Sequence, residues 1–135
     1  MFYKCNNVKD INVSSFNTNN VNNMSFMFFE CNNLLEINLN SFNTNKVIDM
    51  HSMFEKCKNL VNLDLSSFKT ENVNMFSHCE NLEKLNLSSF EINHINNGVA
   101  FICCNKLKKI QINKTQIEKL EEFLHDSKIQ HKINF

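Results

Sequence analysis

Five copies of one short pattern limit what this chain can fold into. MFYKCNNVKDINVSSF starts at Met1, MFFECNNLLEINLNSF at Met27, MFEKCKNLVNLDLSSF at Met53 and MFSHCENLEKLNLSSF at Met75. A looser fifth copy surrounds Cys104. The cysteines Cys5, Cys31, Cys57, Cys79 and Cys104 set the register, with steps of 26, 26, 22 and 25 residues. Three residues before each stands Phe2, Phe28, Phe54, Phe76 or Phe101, and three after stands Val8, Leu34, Leu60, Leu82 or Leu107. A unit this short cannot bury an apolar face alone, so copies must stack and share one interior.

From the aliphatic residue the pattern continues as L-x-x-L-x-L-x-x-F: Leu34, Ile37, Leu39, Phe42; Leu60, Leu63, Leu65, Phe68; Leu82, Leu85, Leu87, Phe90. At this period that is the leucine-rich-repeat signature. Its alternating part, such as Leu63-x-Leu65, predicts a short strand with one face inward. Val47, Met50, Phe54 and Cys57, at i, i+3, i+7 and i+10, predict a helix on the return path. The shortened third step fits that helix: the four absent positions correspond to Asp49, Met50, His51 and Ser52, about one helical turn. The expected fold class is α/β, a right-handed leucine-rich-repeat solenoid with a parallel sheet on its concave face and short helices on its convex face.

One domain, 1–135, is expected, with repeats near 1–26, 27–52, 53–74, 75–99 and 100–114. A C-terminal capping helix and partial rung fill 115–135. Thr115 and Glu118 form a capping box before Ile117, Leu120 and Leu124, which predicts a helix over 116–127. In the final KINF, Ile133 and Phe135 are expected to repeat Ile110 and Ile112, which sets Asn134 beside Gln111.

The string N-V-x-x-M-S-x-M-F-x-x-C-x-x-L-x-x-L-D-L-S-S-F-x-T resembles the BspA-type leucine-rich repeats of bacterial and protist surface proteins, mycoplasma and listerial lipoproteins among them. Val21 to Met24, Ser25, Met27-Phe28 and Met53 to Phe68 match best, and the resemblance covers about residues 1–112. It implies a surface or secreted adhesion scaffold without catalytic residues. The chain shows no signal peptide, lipobox or anchoring motif, so surface location rests on the resemblance alone.

Fourteen basic and fourteen acidic side chains cancel, which argues against nucleic acid or an anionic membrane as partner. No apolar run is long enough to insert in a bilayer. No enzyme is expected: the histidines form no column, and a single glycine leaves no phosphate-cradling loop. No cofactor or metal is expected either. The repeating cysteines read as small buried hydrophobes; the one alternative is a thiol or metal site at His78, Cys79, Cys103 and Cys104. Four N-x-S/T triplets, at Asn12, Asn23, Asn86 and Asn113, arise by chance in so Asn-rich a chain.

Function is therefore expected on the polar strand face, as non-catalytic binding of a protein or glycoconjugate. The alternative is a purely structural spacer or part of a longer array with no ligand of its own. The candidate ligand-binding residues are Glu36, Asn38, Asn62, Asp64, Lys84 and Asn86. Asn12, Asn38, Asp64, Asn86, Gln111 and Asn134 form one column, able to hydrogen-bond as an amide ladder. Beside it run Asp10, Glu36, Asn62, Lys84, Lys109 and Lys132, acidic at one end and basic at the other. At about 4.8 Å per strand the ends lie roughly 19 Å apart, beyond the Debye length of about 8 Å. Chance accounts for the order in so short a column; otherwise a ligand of opposite polarity or a second copy meeting head to tail would complement the two ends. Self-association through the uncapped first rung is the partner expectation.

Overall fold

The computed structural model describes residues 1–70, 74–92, 100–124 and 134. Three short strands, β1 (Asn62–Asp64), β2 (Lys84–Leu87) and β3 (Lys109–Ile112), form a parallel sheet in the order β1-β2-β3. Leu63, Leu85 and Ile110 are register partners, as are Asn62, Lys84 and Lys109. Equivalent residues of successive copies thus lie side by side. Isolated parallel bridges at Asp10–Glu36 and Lys109–Asn134 extend the same pairing outward. Burial alternates along each strand, so the aliphatic residues enter the core and the polar ones face out.

The phenylalanines build the deepest part of the interior. Phe2, Phe28, Phe54, Phe76 and Phe101 stack with nearly parallel rings, their centroids 5.5, 5.5, 6.4 and 5.5 Å apart in turn. Each fully buried ring contributes about 2–3 kcal/mol of apolar burial. In the first copy Phe2, Cys5, Val8 and Phe16 are half covered, whereas their counterparts in the next three copies are buried.

The expected helix through Val47, Met50, Phe54 and Cys57 does not form; that stretch is a series of turns. Some of its N–H groups reach back three residues, Met53 N to Met50 O at 3.3 Å and Cys57 N to Phe54 O at 3.0 Å, and others leave the copy altogether. The residue before each cysteine breaks any helix, with φ between 56° and 62° at Lys4, Glu30, Lys56, His78 and Cys103. At such a residue the N–H points to the neighbouring copy: Lys4 to Phe29 O, Glu30 to Glu55 O, Lys56 to Ser77 O, His78 to Ile102 O. Phe2, Phe28 and Phe54 donate likewise to Met27, Met53 and Met75. Spacings of three and four arise equally from tandem turns and from a helix, and hydrogen bonds between copies decide for turns.

The four-residue shortening gains a different reason with them. In the longer copies Phe26 and Glu30, then Ser52 and Lys56, adopt positive φ four residues apart. Residues 49–52 are one complete turn unit, and its loss leaves Met75 bonded to Phe54 as Met53 is to Phe28.

The tail helix α1 runs Ile117–Leu124, preceded by a 3-10 turn at Lys114–Gln116. Asn113 caps that 3-10 turn, its side chain accepting from Thr115 N–H, and Thr115 lies inside the turn instead of at its cap. Gln116 Oε1 accepts from Ile92 N–H at 2.9 Å and so ties the helix start to the fourth copy. Leu120 and Leu124 are buried as expected. Asn134 pairs with Lys109 rather than Gln111, a slip of two residues that keeps the facing parity. Lys132, Ile133 and Phe135 lie outside the described residues. Among the described residues no helix is long and apolar enough to cross a membrane.

Candidate functional site

Side chains from four consecutive copies meet over the sheet. Glu36, Asn62, Asp64, Lys84, Asn86, Lys109 and Gln111 line a groove of about 430 Å³ whose floor is Ile37, Leu63 and Leu85. Five of the six expected residues line it; Asn38 does not. The alternation of each strand puts these polar chains outward, and the parallel register brings them into columns.

The two columns do different work. Asn12, Asn38, Asp64 and Asn86 each accept, through Oδ1, the backbone N–H two residues on: Ser14 at 3.0 Å, Asn40 at 3.0 Å, Ser66 at 2.9 Å and Ser88 at 3.1 Å. These bonds close the turn that ends each strand, and an aspartate serves because only an oxygen acceptor is required. The expected amide ladder along this column is therefore replaced by local turns. Amides do bond between copies elsewhere, beside the cysteines: Asn59 to Asn33 at 3.2 Å, Asn81 to Asn59 at 3.2 Å and Asn32 to Asn6 at 3.1 Å. The neighbouring column, Glu36, Asn62 and Lys84, is exposed and faces the groove.

The cysteines are structural donors. Each of the four buried thiols bonds to the phenylalanine carbonyl of the preceding copy: Cys31 to Phe2 at 3.1 Å, Cys57 to Phe28 at 3.1 Å, Cys79 to Phe54 at 3.1 Å, Cys104 to Phe76 at 3.0 Å. The Phe28 and Phe54 carbonyls also accept the turn N–H of Cys31 and Cys57, so both lone pairs are used. Burial pushes the Cys31 thiol up to about 11 and Cys104 to about 12, and raises Cys57 and Cys79 well above the ordinary thiol range. Of the alternative site, His78 and Cys103 hold the strained turn position while Cys79 and Cys104 point inward. Among the described residues no three His, Cys, Asp or Glu side chains gather as metal ligands. His94, His125 and His131 lie outside the described residues. Alkylation of the native protein at mildly alkaline pH should label half-buried Cys5 and Cys103 first and leave the four buried thiols until denaturant is added. Rapid native labelling of Cys57 or Cys79, read by peptide mass, would contradict their role.

The turn wall carries a group that the repeat pattern did not reveal. Tyr3 stacks on Phe29 at 5.2 Å, Phe26 meets Phe29 edge-on at 5.4 Å, and Lys56 lies 5.0 Å from the Phe29 ring centre. Lys56 also bonds Glu30 at 2.8 Å and holds that carboxyl below its usual range. Later copies have Glu55, Ser77 and Ile102 where Tyr3 and Phe29 stand, so no column marks the group. Two aromatic residues at one repeat position were the only available signal.

Residues 1–115 match the family described as "Mycoplasma protein of unknown function, DUF285", and the chain belongs to that family. No curated protein and no solved structure matches the chain.

Proposed function

We propose that this member of the DUF285 family is a non-catalytic binding scaffold, a BspA-type leucine-rich-repeat solenoid that takes a protein or glycoconjugate on its strand face. The solenoid reading is supported by pairing at one-copy steps and by the continuous phenylalanine column. The handedness follows from the strong preference of parallel crossover connections for the right-handed sense. The single observation carrying the binding reading is the groove, into which four consecutive copies direct exposed polar side chains over an apolar floor. Adhesion at a cell surface or in the secreted medium is the corresponding setting.

Asn38, Asp64 and Asn86 close backbone turns, and this favours the structural-spacer alternative for that column. The binding reading therefore rests on Glu36, Asn62 and Lys84, with Lys109 added by the structure. A tryptophan at exposed Asn62, in the centre of the groove, should abolish capture on a panel of immobilised extracellular proteins and glycans. Tryptophan at Ser77 on the turn wall should leave capture unchanged. Equal capture by both variants and the parent would refute the groove as the binding face.

A further inference from the structure

We infer that the groove takes an extended peptide with its charges in two blocks, cationic over Asp10 and Glu36 and anionic over Lys84 and Lys109. This names the ligand class for the binding reading above and rests on it.

The register carries the argument. Asp10 is the bridge partner of Glu36, and Lys84 is the register partner of Lys109, so like charges stand directly opposite at both ends of one column. Such pairs oppose strand association. Some charges elsewhere are neutralised locally, with Lys56 on Glu30 at 2.8 Å, Lys108 on Glu83 at 3.2 Å and Lys58 on Glu80 at 3.3 Å, while Asp64 in the neighbouring column of the groove adds a further carboxylate on the acidic side of Lys84. Among the described residues Asp10, Glu36, Lys84 and Lys109 make no ion pair. The column thus keeps four charges without an ion pair, sorted by sign, in a chain of zero net charge; Glu36, Lys84 and Lys109 line the groove and Asp10 continues the column beyond Glu36.

A ligand must satisfy both ends. A uniform polyanion such as nucleic acid gains at the lysines and is repelled at the carboxylates, and an uncharged glycan leaves all four charges unanswered. A bipolar peptide answers both. Glu36 and Lys84 are two strand spacings apart, about 10 Å, and Asp10 and Lys109 four spacings, about 19 Å. At about 3.3 Å per residue, the inner charges of the two blocks lie about three extended residues apart and the outer ones about six. Between them Asn62 offers an amide donor and acceptor to the peptide backbone.

The test titrates end-capped, fluorescently labelled peptides into the full chain and follows anisotropy. Lys-Lys-Ser-Thr-Ser-Asp-Asp should bind at least about tenfold more tightly than Lys-Asp-Ser-Lys-Thr-Asp-Ser, which has the same composition, and salt should narrow the gap. The double variant Lys84→Glu/Lys109→Glu should lose the block peptide and gain Lys-Lys-Ser-Thr-Ser-Lys-Lys. Should circular dichroism show that variant unfolded, Lys84→Gln/Lys109→Gln should still weaken the block peptide. Equal affinity for block and scrambled peptides overturns the inference. Failure of every peptide, while Asn62→Trp still abolishes capture on the panel, overturns it and leaves the binding reading standing. Sedimentation showing chain assemblies that the double variant dissolves, with no peptide bound, assigns the charge order to a second copy and overturns it too.

Discussion

Phe54→Ala is expected to destabilise the protein by about 3–5 kcal/mol. Phe54 has no exposed surface, and its ring lies 5.5 Å from Phe28 and 6.4 Å from Phe76. Truncation removes its own burial and one stacking face from each neighbour, and the surrounding turns, bonded from copy to copy, resist collapse into the void. Whole-domain stability is about 5–15 kcal/mol, so this one side chain represents a large share. Phe54→Leu, which keeps most of the volume, should cost well under half as much. Phe26→Ala, at a ring 37% exposed on the turn wall, should cost about 1 kcal/mol. Urea midpoints of the three variants provide the measurement. If Phe54→Ala lost no more than Phe26→Ala, the column would not be the shared interior of the copies.

The second large effect is alkaline instability. Cys104 keeps its proton up to about 12, and Cys57 and Cys79 keep theirs well above the ordinary range as well, because burial disfavours the thiolate. In the unfolded chain the same thiols ionise near their ordinary value of 9.0. Below that value both states hold the proton, and the stabilising contribution is fully present. Above it the unfolded state releases protons that the native state retains, so stability falls with pH by about 1.4 kcal/mol per thiol per unit. For these three thiols the loss is roughly 4 kcal/mol by about pH 10. A urea midpoint followed from neutral pH upward under reducing conditions should drop steeply from about pH 9. Cys31, held up to about 11, adds to the same slope, so Cys79→Ser, which keeps a donor for the Phe54 carbonyl, should remove about a quarter of it. A midpoint that stayed flat through this range would exclude buried, protonated thiols.

How much of this was legible beforehand differs from residue to residue. The column memberships were readable, because periodic identity needs no coordinates: Leu63, Leu85 and Ile110 pair as the spacing implied. Five of the six chosen site residues line the groove for the same reason. The turn wall was misread as helix because its apolar spacing suits both. The N-cap was misplaced because Asn113 and Thr115 are both good caps, and Asn113 is the one that accepts the Thr115 N–H. The role of Asn38, Asp64 and Asn86 was misread because an exposed amide in a column looks equally suited to a ligand, a ladder or its own turn.

By itself the amino-acid order determined which residues repeat and which of them must be buried. Apolar burial is proportional to area and indifferent to backbone conformation, so a pattern of side chains suffices to specify it. Tertiary structure alone decided how the backbone between the phenylalanines and leucines runs and which polar groups are already engaged. Hydrogen bonds are directional, and the partners of Lys56 N–H, of the Cys57 thiol and of Glu30 lie 21 to 29 residues away on adjoining copies. No local stretch of sequence contains them.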